Sequence, residues 1–230
     1  MMLTERRERY LTTPTVWQKW RDHPEKVWVR QALFQIHFWA GAIAGAYVFV
    51  MSVSGSAIVY RNQFSDAGIS VEPLVSLHSN LLAGAAGRSV NGIGAACLVA
   101  LCITGAVIWW PGIGHWRRSL TVAWRASFPR VNWDLHSAAG FWTFPGVFLW
   151  GVSGLYLVFP DQFAAALRVD PGGSFAAWLA DLHFGRFNAV TRAIWALVGL
   201  VPGMLAFTGV FICCRRVILQ KPSNPKVFIP

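Results

Sequence analysis

Residues 36–64 read IHFWAGAIAGAYVFVMSVSGSAIVYRNQF, and residues 135–163 read LHSAAGFWTFPGVFLWGVSGLYLVFPDQF. Set one over the other at a spacing of 99 residues, without gaps, His37 meets His136 and Gly41 meets Gly140. Ser54-Gly55 then meets Ser153-Gly154, and Gln63-Phe64 meets Gln162-Phe163. Both copies are long apolar segments that begin with a histidine and carry a glycine four residues later. Four residues make about one helical turn, so each histidine shares a face with its glycine. Gly55 and Gly154 lie 18 residues beyond His37 and His136, five turns or about 27 Å along the same face. A histidine beside a missing side chain, at the same depth in two related helices, predicts a flat cofactor held between them.

Around this stretch the composition is that of a lipid-embedded chain. Over half of the 230 residues are hydrophobic, only 13% are charged, and there are 13 tryptophans. Four windows are long and apolar enough to span a bilayer, which takes about 20 such residues each: 32–60, 89–110, 135–159 and 193–213. The first follows a charged segment of some thirty residues and is too long for a signal-peptide core, so it is expected to be retained. The predicted fold is an all-α membrane protein, a four-helix transmembrane bundle made of two repeated helical hairpins. Its parts are a basic tail over 1–31, a first hairpin over 32–110, a loop over 111–131, a second hairpin over 132–214 and a tail over 215–230.

The charge distribution sets an expected orientation. Of the twenty Lys and Arg, seven lie in the N-terminal tail, four after the second span and four in the C-terminal tail, against five (Arg61, Arg88, Arg168, Arg186, Arg192) beside the other two loops. The positive-inside bias then puts both termini in the cytoplasm of an inner-membrane protein. The net charge of +10 thus reads as topology, and no nucleic-acid partner is expected. The four cysteines form no disulfide pattern, and without a Cys-x-x-Cys-His any haem is non-covalent.

The second half of each hairpin repeats as well. Leu77-His78 is echoed by Leu182-His183, Arg88 by Arg192 and Thr104-Gly105 by Thr208-Gly209. The last two matches share a spacing of 104 residues and the histidines one of 105. Two hairpins in the same orientation imply a pseudo-two-fold axis along the membrane normal. That axis brings His37 level with His136 near the inner surface, and His78 level with His183 near the outer one. Thirty-one residues separate His78 from Trp109, more than a bilayer core accommodates, so His78 is expected at the interface on a helical extension of the second span.

Each pair supplies two neutral imidazoles, the ligand set of a six-coordinate haem b that moves electrons and binds no oxygen. Two haem b groups are therefore expected, with His37, His136, His78 and His183 as axial ligands to the iron. Gly41, Gly140, Gly55 and Gly154 leave room for the macrocycles, with Gly105 and Gly209 reaching the inner level from the returning helices. Arg88 and Arg192, at the outer start of their spans, are placed to pair with haem propionates. A bare metal ion fits less well, since it wants closely grouped ligands with carboxylates or thiolates, and no Asp or Glu falls within the predicted spans. The same lack disfavours a proton relay. His115 has no counterpart in the second hairpin and is read as a loop residue.

The ordered set of Leu33-x-x-Ile36-His37 with its downstream Ser-Gly, Leu77-His78, Thr104-Gly105 followed by Trp109-Trp110-Pro111, Leu135-His136-x-x-x-Gly140, Leu182-His183 and Thr208-Gly209 followed by Arg215-Arg216 resembles the PepSY-associated transmembrane family. These iron-regulated inner-membrane proteins include ferric-siderophore reductases. The resemblance implies a haem-b electron carrier that delivers electrons to the periplasmic side. Many members carry folded PepSY domains in the outer loops; here those loops hold only about thirty residues each. The implied function is electron transfer from a cytoplasmic or quinol donor to a periplasmic acceptor, a ferric siderophore or a redox protein. A haem-b anchor linking a periplasmic redox enzyme to the quinone pool, a non-redox partner subunit and a small transporter are the other readings of the same segments.

Overall fold

The computed structural model describes residues 14–170 and 172–219. The outer parts of both expected tails, residues 1–13 and 220–230 with Lys221 and Lys226, lie outside the described residues. Among the described residues every regular element is a helix. The chain begins with α1 (Val16–Asp22), started by a capping box in which Thr15 accepts from the Gln18 amide and donates its own amide to the Gln18 side chain. Then come α2 (Trp28–Ile58), the short α3 (Arg61–Asp66) and α4 (Glu72–Asn80), and α5 (Gly84–Trp109). The second half holds α6 (Phe128–Val158), α7 (Pro160–Leu167), α8 (Ser174–Phe184), α9 (Ala189–Val198) and α10 (Val201–Leu219).

Four helical segments, α2, α5, α6 and the combined α9–α10, are long and apolar enough to cross a membrane. The protein is therefore a multi-pass membrane protein whose spans meet the bilayer. α2 packs against α5 and α10, and α6 packs against the same two helices, so α2 and α6 face each other diagonally across a four-helix bundle. Its exterior is apolar: Ile43, Ile93, Ile103 and Phe207 are all exposed. Its interior instead buries small polar residues, Ser52, Ser54, Thr104, Ser153 and Thr208 among them. This inside-out distribution suits lipid, where apolar side chains gain nothing by facing inward and small ones let helices approach.

Three features depart from the sequence reading. His78 does not extend the second span; it rides on the separate helix α4. Leu81 and Leu82 at φ 55° and 60° turn the chain through the left-handed region between α4 and α5, so the chain folds back instead of projecting outward. α6 begins at Phe128 and so takes in an acidic residue, Asp134. It is buried, and Arg130 one turn earlier holds its carboxylate at 2.9 Å. The fourth span is interrupted between Val198 and Val201. There the Ser52 hydroxyl from α2 donates to the Gly199 carbonyl and accepts from the Gly203 amide at 2.9 Å. It thereby stands in for the helical bond those two groups would make together, while Pro202 has no amide to offer Val198.

The end of the bundle where the described chain starts and stops is called the near end below. α1 lies there against the close of α5, through Trp110 Nε1 to the Trp20 carbonyl (3.1 Å) and the Ile113 amide to the Arg21 carbonyl (2.9 Å). α3, α4, α7 and α8 form the far end.

Candidate functional site

The four histidines form two pairs. His37 on α2 and His136 on α6 meet across the bundle centre with ring centroids 6.5 Å apart, and their planes cross at 80°. At the far end His78 on α4 and His183 on α8 stand with centroids 6.4 Å apart at 53°. Seventeen residues separate His37 from Ser54, which holds His78, so the two levels lie about 25 Å apart along the helix.

Each imidazole is oriented by one buried hydroxyl. Nδ1 of His37 lies 2.9 Å from Thr104 Oγ1, and Nδ1 of His136 lies 2.9 Å from Thr208 Oγ1. At the far end the partners are Ser54 Oγ for His78 (3.0 Å) and Ser153 Oγ for His183 (2.8 Å). Every one of these hydroxyls gives its single proton to a carbonyl one turn back: Ala100, Met204, Val50 and Leu149 respectively. A hydroxyl whose proton is spent can only accept. The imidazole Nδ1 must therefore be the protonated nitrogen, which leaves an unprotonated Nε2 on all four rings. Burial agrees with neutral far-end rings, lowering the His78 pKa and bringing that of His183 down to about 4, with the nearby His78 adding to the latter shift.

The separation within each pair is close to that of two imidazoles bound to one metal ion. Imidazole nitrogens bind metals at about 2.0 Å, and the ring centre lies roughly 1.1 Å behind the nitrogen, so two rings on opposite sides of one metal would have centroids about 6.2 Å apart. The fixed tautomer is the one that metal-binding histidines adopt, with a neighbouring acceptor on Nδ1–H and the other nitrogen left free to bind. Among the described residues no group of three or more His, Cys, Asp or Glu is placed around a metal ion; each level offers two protein nitrogens.

Glycines crowd the rings from outside. A Cβ on Gly105 or Gly209 would come within 3.1 Å of His37 and 3.2 Å of His136. A Cβ on Gly55 would lie 2.8 Å from His78, and one on Gly154 3.6 Å from His183. Gly41 and Gly140 behave differently: a Cβ there meets a single leucine atom, 3.9 Å away. They do not touch the histidines one turn earlier; each faces a leucine of the neighbouring helix, Leu101 or Leu205, at ordinary van der Waals distance.

The far pair opens into a cavity of about 560 Å³ lined by His78, His183, Gly55 and Gly154, within the about 300–1,000 Å³ typical of small-molecule and cofactor sites. α4 and α8, which carry the two rings, are pinned by side chains at positions 104 residues apart. Asn91 Nδ2 donates to the His78 carbonyl at 2.8 Å, and Trp195 Nε1 donates to the Leu182 carbonyl at 2.7 Å. Gly185, at φ +64° and with the Trp195 ring 2.8 Å from where a Cβ would stand, closes α8 just after His183.

Arg88 and Arg192 do reach the cavity, yet both are already engaged. Arg88 donates to the Leu157 carbonyl at 2.8 Å, and Arg192 to the Gln63 side-chain oxygen, in the amide orientation that satisfies both groups, at 2.8 Å. Each ties its own hairpin to the other. The hydroxyls of Thr104, Thr208, Ser54 and Ser153 were missed as ring-orienting groups by the sequence reading, although the Ser-Gly and Thr-Gly pairs were its repeat markers. Their signal was a buried hydroxyl recurring at helical spacing with a histidine one hairpin arm away.

Residues 69–170 match the family model of the PepSY-associated TM region. The match runs from just before α4 to just after α7, and so takes in His78 and His136. It agrees with the family resemblance read from the ordered motifs, and the PepSY-associated segment thus bridges both hairpins. No curated protein and no solved structure matches the chain.

Proposed function

We propose that the protein is a di-haem b cytochrome that carries electrons across the inner membrane, with both termini cytoplasmic. The observation that supports this most directly is the pairing of His37 with His136 and His78 with His183, each at the separation of two imidazoles on one iron, each ring turned by a hydroxyl so that Nε2 is free. Bound haem supplies one-electron transfer without an open coordination position. The chain's own residues do the rest. Thr104, Thr208, Ser54 and Ser153 fix the ring tautomers, and the apolar bundle walls exclude water from the near pair. Electrons from a cytoplasmic or quinol donor enter at the near end and leave at the far end, where a ferric siderophore or a periplasmic redox protein accepts them. The match to the PepSY-associated TM region and the resemblance to ferric-siderophore reductases favour iron reduction as the outcome.

The test is a pyridine haemochrome assay on detergent-purified, haem-replete protein. The expected result is two haems b per chain, falling to one in His37→Ala or His136→Ala and to one in His78→Ala or His183→Ala. A folded wild-type protein without haem overturns the proposal. Reoxidation of the reduced protein by ferric chelates then tests the acceptor.

A further inference from the structure

The loops and span starts of the far end hold five arginines and five acidic residues, and the fold separates them. Arg61, Arg88, Arg186 and Arg192 line the far cavity, whereas Asp66, Glu72, Asp161, Asp170 and Asp181 do not. Among the described residues none of the four arginines pairs with a carboxylate. A cavity with four guanidinium groups and no acid on its wall selects for negative charge.

Arg88 and Arg192 have donors committed to the opposite hairpin, as described above. Arg61 and Arg186 do not. Their guanidinium carbons lie 5.9 Å and 4.2 Å from the centre of the Phe184 ring, a cation–π arrangement that places a guanidinium without using its hydrogen-bond donors. Phe184 in turn meets His183 edge to face, with centroids 5.4 Å apart. Two guanidinium groups, one from each hairpin, thus flank one aromatic ring that touches a far-pair histidine. On the same cavity wall Ser56, 8% exposed, buries a hydroxyl that has no hydrogen-bond partner among the described residues. Such a buried group is a place where a ligand's acceptor completes the site.

We propose that Arg61 and Arg186, braced on Phe184, form a carboxylate-binding site at the far cavity, distinct in role from the hairpin-tying pair Arg88 and Arg192. The planar fork of arginine matches a carboxylate, and partial desolvation in a cavity strengthens the bond. Two sources offer that chemistry: the propionates of a haem on the far pair, or a carboxylate-bearing ferric chelate arriving as electron acceptor. The propionate source rests on the two-haem reading; binding of a chelate does not.

The experiment compares wild type with the double variant Arg61→Gln/Arg186→Gln, both as full-length protein in detergent. One arm measures haem content and far-haem dissociation. The other measures binding of gallium(III) citrate, a redox-inert carboxylate chelate, at low and high salt. The site is supported by loss of one haem or about tenfold faster far-haem dissociation, which identifies the propionates. It is equally supported by full haem retention with binding of the gallium chelate weakened roughly tenfold or more and sensitive to salt, which identifies the chelate. Single Arg→Lys variants should recover part of either loss, because charge is kept and the fork is not. Unchanged values in both arms overturn the proposal, as does equal loss in Arg168→Gln, a far-end arginine outside the cavity lining. If wild type holds no haem, the two-haem reading fails while the gallium arm still decides the site.

Discussion

The near and far histidine pairs share one geometry and are built in opposite ways. His37 and His136 belong to the spans themselves, so the packing of α2 and α6 against α5 and α10 positions both rings at once. His78 and His183 sit on the short helices α4 and α8, of nine and eleven residues, too short to be stable alone in water. Each of those helices is fixed to a span by one side-chain donor, Asn91 or Trp195, and by the hydroxyl that holds its ring. A site made by the bundle resists local change. A site carried on pinned helices can be adjusted at the surface without disturbing the spans.

Removing the ring-orienting hydroxyls tests the shared part of this contrast and carries the largest effect. Thr208→Val and Ser153→Ala each leave an Nδ1–H without its acceptor in a buried place. Haem affinity should fall about 10–100-fold at the level concerned and stay unchanged at the other, since outer-shell partners of metal ligands typically contribute that much. Haem-transfer kinetics to an apo-globin acceptor would resolve the two levels, and a uniform loss at both would contradict the assignment. The pins come next. Asn91→Ala and Trp195→Phe should weaken only the far site, by roughly tenfold or less, the loss of one buried hydrogen bond. Equal weakening at the near site would mean that the far helices support the whole bundle.

The smallest effect separates the hairpins themselves. At Gly55 a new Cβ would come to 2.8 Å from the His78 ring, whereas at Gly154 the corresponding distance to His183 is 3.6 Å, an ordinary contact. Gly55→Ala should therefore displace His78 and weaken the far haem several-fold, on the order of 1 kcal/mol of overpacking. Gly154→Ala should leave the far haem as it is, and redox titration of the two variants gives the comparison.

The same asymmetry appears lower in the bundle. Ser52 corresponds by the 99-residue spacing to Gly151, and Gly203 corresponds by the 104-residue spacing to Val99. Where serine faces glycine, the hydroxyl enters the opposite helix and the fourth span breaks; where glycine faces valine, α5 runs unbroken and a Cβ on Gly151 would meet Val99 at 2.9 Å. In lipid an unpaired backbone group costs on the order of several kcal/mol, and Ser52 spares that cost at the Gly199 carbonyl and the Gly203 amide.

Helix class, span number and the two levels of histidines were legible in the sequence because each depends on local composition or on a spacing. About twenty apolar residues dictate a span, and a spacing of 99 or 105 residues carries a histidine in one half of the chain to its counterpart in the other. The partners of those histidines were not legible in the same way. Arg88 and Arg192 look like anion binders by position, and each also gives one guanidinium nitrogen to an oxygen of the opposite hairpin. Nothing in the order of the chain shows that Phe184 lies beneath both Arg61 and Arg186. The sequence by itself determined a four-span apolar chain with histidines at two depths. Only the tertiary structure decided which nitrogen of each ring is free, which arginines tie the hairpins together and which rest on Phe184 alone, since contacts between helices depend on which faces packing brings together.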